Sequence, residues 1–311
     1  MNMRPYNPTQ DQSALFDLLH ACRRADQIDR LLPLHLEEAL KPGSFLASPH
    51  LDLTQDTRLW FYPDDRLAAF SLVDLHSWGL LYLVDPDISH ADIETTLIAW
   101  GIERARAMVA GQQAKALHCR AVRLDKPQRA RLLEKAGFSP INDPMIRLVR
   151  PLDQPIPPPI LPPGFTFSHV TALTDLAAYI DMGNTAFPNA FRIESHRQFT
   201  ALPQYRAPLD LVVLNPQQRP VALCQCYYDS RDTDQNPCPE GFTDPVGTHP
   251  DFRRQGLARA VILEGLHRLR ACGLQAATLQ ASAANKVTRH LYSSLGYQEQ
   301  YCTATYAYPL E

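Results

Sequence analysis

Val246-Gly-Thr-His-Pro-Asp-Phe-Arg253-Arg254-Gln255-Gly256-Leu257-Ala258-Arg-Ala-Val-Ile-Leu-Glu-Gly-Leu-His-Arg-Leu269 reads as a strand, a tight turn and a helix. Pro250 and Asp251 end the strand after Thr248, because proline fixes φ and has no amide hydrogen. Behind the turn, Leu257, Ala260, Val261, Leu263 and Leu266 form an apolar stripe at helical spacing. A basic, glycine-containing turn that opens a helix presents unpaired backbone N–H groups at the positive end of the helix dipole, which is a seat for a phosphate. Gly256 lets the backbone approach an anion closely, and Ala258 keeps the next turn free of bulk. Arg253 and Arg254 add charged donors. A Walker A loop needs Gly-Lys-Ser/Thr and a dinucleotide-binding turn needs G-x-G-x-x-G; neither string is present.

The chain has 311 residues and a net charge of -3, which suits two domains and gives no electrostatic footprint for nucleic acid or an acidic membrane. No apolar run is long enough to span a bilayer, and the N-terminus lacks an apolar signal region. Seven cysteines stand at 22, 119, 224, 226, 238, 272 and 302, with no second Cys or His pair to complete a zinc set around Cys224-x-Cys226. Reduced thiols, a cytoplasmic location and no metal are expected.

From the N-terminus, the periodicity predicts a short strand and a helix with Leu15, Leu18, Leu19 and Cys22 on one face. A hairpin over Leu59–Leu75, a strand over Trp78–Asp85, and a long helix from an N-cap at Ser89 to Val109 follow. A strand over Ala116–Val122, a helix over Gln128–Ala136 and a strand ending at Val149 complete this half. Between 151 and 164 stand seven prolines and Gly164, a composition that favours extended polyproline and reads as an interdomain linker. Domains are therefore expected at 1–150 and 165–311.

The second half predicts a strand from Phe165, a helix from Asp175 to Phe187, and strands at Leu209–Leu214 and Val221–Tyr228. Residues 229–240 read as a surface loop. After the strand–turn–helix come a strand at Ala276–Ala281, a helix at Asn285–Leu295 stopped by Gly296, and a last strand at Tyr301–Tyr308. Both halves follow one order, and Leu132-Leu-Glu-Lys-Ala-Gly-Phe138 echoes Leu291-Tyr-Ser-Ser-Leu-Gly-Tyr297, so an internal duplication is expected.

The spacing Arg253-x-x-Gly256-x-Ala258 resembles the pyrophosphate signature of the GNAT superfamily of acyl-CoA N-acyltransferases, and Asn285 with Leu291-Tyr292-x-x-Leu295-Gly296-Tyr297 resembles its later segment. The resemblance implies an α/β (α+β) fold of two tandem GNAT domains, each a mixed, mostly antiparallel sheet flanked by helices, in the manner of mycothiol-synthase-like tandem proteins. It implies an acyltransferase that moves an acetyl group from acetyl-CoA, as cosubstrate, to an amine on a small molecule or peptide. Val246, Gly247, Thr248, Arg253, Arg254, Gln255, Gly256, Leu257, Ala258, Asn285 and Tyr292 then hold the coenzyme, with Tyr292 protonating the thiolate.

For Tyr292 the alternative is a packing tyrosine, and for Asn285 a helix N-cap. The proton acceptor is sought in Asp244, then Glu240, then His249. Asp244 lies two residues before Val246, and its alternative is a turn aspartate ahead of Pro245. In the first half the turn is Val84-Asp85-Pro-Asp87-Ile-Ser-His-Ala-Asp92, without glycine or arginine, and its acids repel a pyrophosphate. That copy reads as degenerate. A coenzyme-binding module without turnover, and O-acyl transfer, remain open beside N-acyl transfer; a monomer and a homodimer both fit.

Overall fold

The computed structural model describes residues 2–26, 31–88, 90–109, 114–141, 143–234 and 238–310. Along the chain run β1 (Asn2–Arg4), α1 (Pro8–Arg24), α2 (Pro33–Ala39), α3 (Leu53–Asp56), β2 (Thr57–Phe61), β3 (Leu67–Asp74), β4 (Gly79–Val84), α4 (His90–Val109), β5 (Ala116–Arg123), α5 (Gln128–Lys135), β6 (Ser139–Pro140) and β7 (Met145–Pro151). The second series is β8 (Thr166–His169), α6 (Leu176–Ala186), α7 (Ile193–Thr200), β9 (Asp210–Leu214), β10 (Pro220–Tyr227), α8 (Ser230–Thr233), β11 (Glu240–Thr248), α9 (Leu257–Ala271), β12 (Ala276–Ser282), α10 (Lys286–Ser294) and β13 (Gln298–Pro309). The repeated order expected from the two halves is present. The N-cap expected at Ser89 lies outside the described residues.

Two compact units result: Met1–Met145 with Tyr301–Glu311, and Ile146–Gln300. The divisions fall at strands, not at the proline-rich segment taken for the boundary. Thr303–Pro309 of β13 pair antiparallel with Ala116–Arg123 of β5, which assigns the chain's last strand to the first unit. The proline-rich segment belongs to the second unit. Leu152 N–H donates to the Gln275 carbonyl at 2.8 Å, the Arg150 guanidinium donates to the Pro155 carbonyl, and the His267 ring lies 3.0 Å from the Pro157 carbonyl. A run that cannot form ladders with its missing N–H groups still accepts hydrogen bonds through its carbonyls.

In unit 1, β1 to β4 form an antiparallel meander. Side chains alternate across it, so Leu59, Phe70, Leu72 and Leu83 pack with Leu15, Leu19 and Cys22 of α1. Trp60, Ala69, Val73, Leu80 and Tyr82 face Leu97, Ile98 and Ile102 of α4.

In unit 2 the sheet runs β7-β12-β11-β10-β9-β8. Val212, Leu214 and Leu223 pack against Tyr179, Ile180 and Met182 of α6. Helix α9 covers the opposite face with Leu257, Ala260, Val261, Leu263 and Leu266, the stripe expected from the spacing, all buried. Helices α7 and α8 were absent from the sequence reading. Only His196 of α7 is buried, so its apolar face is too short to signal a helix. Four-residue α8, capped by Asp229, lies in the stretch expected as loop.

Candidate active site

Strand β11 carries the geometry that matters. It pairs parallel with β12 through Glu240–Ala276, Gly241–Ala277 and Phe242–Thr278, and among the described residues the ladder ends there. From Thr243 to Thr248 it keeps only β10 as a neighbour, in register Cys226–Thr243, Cys224–Val246, Leu223–Gly247 and Ala222–Thr248. Between the first two pairs β11 holds one extra residue, a bulge at Asp244 and Pro245 that bends the strand away from β12.

His249 N–H donates to the Val221 carbonyl at 2.9 Å, toward β10. By the alternation of an antiparallel ladder, Gly247 faces the same way, and Val246 and Thr248 turn their N–H and C=O groups to the open side. The Thr248 carbonyl there accepts from Arg253 Nε at 3.3 Å. Gly247 is required by close approach: a Cβ would meet Phe187 at 2.8 Å and Ala186 at 2.9 Å, at the end of α6.

The turn that follows is shaped for an anion. Arg254 and Gly256 both adopt positive φ, 62° and 83°. A Cβ on Gly256 would meet nothing within 4 Å, so the glycine serves its backbone conformation and leaves open space. Helix α9 begins with Ala260 N–H donating to the Gly256 carbonyl, so the N–H groups of Leu257, Ala258 and Arg259 precede its first α-type bond. Arg253, Arg254 and Gln255 are exposed around them. Bare amides, a helix N-terminus and two guanidiniums are the donor set a pyrophosphate needs, and an extended pantetheine arm fits the unpaired side of β11.

Tyr292, on α10, is 6% exposed and edge-on to Tyr297 at 5.4 Å between ring centroids. Its hydroxyl bonds to no described residue. Burial, then the nearby Cys224 and Asp244, hold its phenol well above the ordinary tyrosine range. Asp244 stands at the bulge where β11 leaves β12. Asn285 caps α10 by accepting from Thr288 N–H at 3.1 Å.

Glu240 stands elsewhere, at the closed end of β11, where Arg147 Nη2 holds its carboxylate at 2.6 Å. His249 stacks edge-on to Phe252, and its Nδ1 accepts from Asp251 N–H. It lines a cavity of about 580 Å³ beside α6, with Asp181 and Arg219.

In unit 1 the corresponding turn binds its own acid. Asp85 accepts from the Tyr62 hydroxyl at 3.2 Å and from Asp87 N–H at 3.0 Å.

The sequence reading missed a buried polar group in unit 2. Asp210, 1% exposed, accepts from the Tyr205 hydroxyl at 3.1 Å and lies 3.9 Å from His196 Nε2. Burial pushes its carboxyl up to about 7. Asp210 opens an otherwise apolar strand, and that misfit was its only signal in the sequence.

Residues 176–297 match the model of the Acetyltransferase (GNAT) family, and this stretch of the chain is a domain of that family. A mycothiol acetyltransferase of Thermomonospora curvata is 29% identical over 171 residues, which cover 53% of this chain and 55% of that protein. The chain therefore spans little more than half the length of that relative. Among solved structures, a GCN5-related N-acetyltransferase from Sphaerobacter thermophilus superposes with a TM-score of 0.74 at 21% identity, covering 100% of this chain and 96% of the other. A tandem GNAT protein from the clavulanic acid biosynthesis pathway gives 0.75 at 14% identity, covering 100% and 98%. The fold is two tandem GNAT domains.

Proposed function

We propose that the protein is an acetyltransferase whose second unit moves an acetyl group from acetyl-CoA to a primary amine. The observation that carries this is the opening of β11 from β12 beyond Phe242, leading directly into the Arg253–Ala258 turn. Acetyl-CoA supplies an activated thioester. The amides from Leu257 to Arg259 and the Arg253 and Arg254 side chains bind its diphosphate. The open side of Val246 and Thr248 orients the pantetheine arm and offers an N–H to the thioester oxygen, where negative charge grows. Bringing the amine to the acyl carbon on this rigid strand accounts for much of the rate.

Asp244 takes a proton from the acceptor's ammonium, directly or through water, so that the neutral amine attacks the acyl carbon. Tyr292 holds its proton at neutral pH because the buried phenolate is disfavoured, so its O–H stands ready for the departing thiolate. The Arg147 pair makes Glu240 a structural residue in this scheme. Unit 1 does not bind the coenzyme in the same manner, since Asp85 and Asp87 occupy its turn. No helix among the described residues is long and apolar enough to cross a membrane.

The relatives named mycothiol acetyltransferases support acetyl transfer as the reaction. A calorimetric titration with acetyl-CoA, followed by thioester cleavage with an amine panel, tests the reading. One site per chain and turnover lost in Tyr292→Phe are expected. Tight binding without turnover on any amine would leave a coenzyme-binding module instead.

A further inference from the structure

Unit 1 contains a cavity of about 710 Å³ bounded by Glu94 of α4, Ala121 and Arg123 of β5, and Arg129, Arg131 and Lys135 of α5. Three features of its walls run against local stability. First, α5 carries Arg129 and Arg131 at its N-terminal end and no acid in its first turn. The dipole there is positive, so a cation at that end is disfavoured. Second, Arg131 and Lys135 stand one turn apart, like charges that repel at i,i+4, and neither has a partner among the described residues. Third, Ala121 adopts a left-handed φ of 55°, where the register between β5 and β13 slips by a residue. A stretch that breaks several local preferences at one place is where function is to be sought.

The cations are not all occupied. Arg123 is saturated by Asp26 and Asp125, each at 2.7 Å, and forms a fixed wall. Arg129 lies 4.2 Å over the Tyr82 ring and reaches Glu94 only at 3.4 Å, leaving most of its donors unused. The N–H groups of Gln128, Arg129 and Ala130 precede the first α-type bond, from Arg131 N–H to the Pro127 carbonyl.

We propose that this cavity binds a compact oxyanion, a carboxylate or phosphate group on a small molecule, held by Arg129, Arg131, Lys135 and the first amides of α5. Bound there, the anion neutralises the charge that Arg129 and Arg131 place at the positive end of α5. The site belongs to unit 1 and the proposed acyl-transfer centre to unit 2.

The test uses the whole chain at physiological ionic strength, with coenzyme A present at saturation so that the Arg253–Ala258 turn is filled, and with inorganic pyrophosphate and citrate as probes, followed by thermal shift and calorimetry. At least one probe raises the melting temperature in a concentration-dependent way, because it binds the folded state alone. Which probe acts tells a phosphate from a carboxylate. R131E/K135E weakens that probe about a hundredfold, from the loss of two charge-assisted contacts. Both positions are exposed, so the variant keeps its fold, checked by its melting temperature without probe. Gly256→Glu leaves the probe's affinity unchanged while removing coenzyme binding. No shift with either probe, a shift that survives R131E/K135E, or one abolished by Gly256→Glu would overturn the proposal. So would a second coenzyme A per chain that R131E/K135E removes, because the site would then belong to the coenzyme.

Discussion

Replacing Gly256 by glutamate separates two roles of one backbone position. At a φ of 83° any side chain is strained, at a cost of about 1–2 kcal/mol. A Cβ meets nothing within 4 Å, so no steric term adds to it. For a unit of this size the melting temperature falls by roughly 2–8 °C. Binding suffers far more. The new side chain fills the space a diphosphate needs and brings a like charge to it. Losing two charge-assisted amide contacts, each about 1.5–3 kcal/mol, weakens acetyl-CoA at least a hundredfold. Gly273 provides the control, with a φ of 84° and equally open surroundings, at the far end of α9. Gly273→Glu therefore loses the same few degrees and binds acetyl-CoA as the parent does. Calorimetry and thermal melts on both variants decide the matter. Parental affinity in Gly256→Glu, or equal losses in the two variants, would refute the reasoning.

Tyr292→Phe lowers the rate of thioester cleavage by about 10²–10⁴ with little change in acetyl-CoA affinity, read as kcat against Kd. Glu240→Gln strips the Arg147 guanidinium of its buried partner and costs about 3–5 kcal/mol of stability, seen in denaturant melts; the folded fraction keeps its kcat. Asp210, pushed up to about 7, keeps in the folded state a proton that the unfolded chain releases near pH 4. Stability of unit 2 therefore declines as pH rises from about 4 to 7, and Asp210→Asn flattens that slope in melts taken across the range. Asp85→Asn leaves coenzyme affinity within twofold by calorimetry; a large loss would place the site in the other unit.

Much of this was readable from residues alone, because it is local. Six positions after β11 specify a turn whose glycine, arginines and helix start follow from nearest-neighbour physics. The Leu257–Leu266 stripe specifies the buried face of α9, and Gly137 and Gly296 mark the ends of two helices. Tyr292 was singled out by the resemblance of Leu291-Tyr292-x-x-Leu295-Gly296-Tyr297 to a segment of the family.

Other features depend on partners far along the chain. The sequence reading placed Val246 to Thr248 in an opening strand by resemblance, but the bulge that opens it is a mismatch of count between β10 and β11. Glu240 stood second among the candidate bases, and only the fold shows that Arg147, ninety-three residues away, holds its carboxylate. The last strand was drawn with the second half, and pairing with β5 gave it to the first unit. Composition gave near neutrality, which hides the uncompensated cations of α5; only the fold gathers them around one cavity. Local sequence thus settled most of the helices and turns, including the Gly256 turn proposed as the phosphate seat, whose energetics are short-ranged. Strand register, burial of charge and membership of a unit were decided by tertiary pairing, where each residue's energy depends on which distant groups reach it.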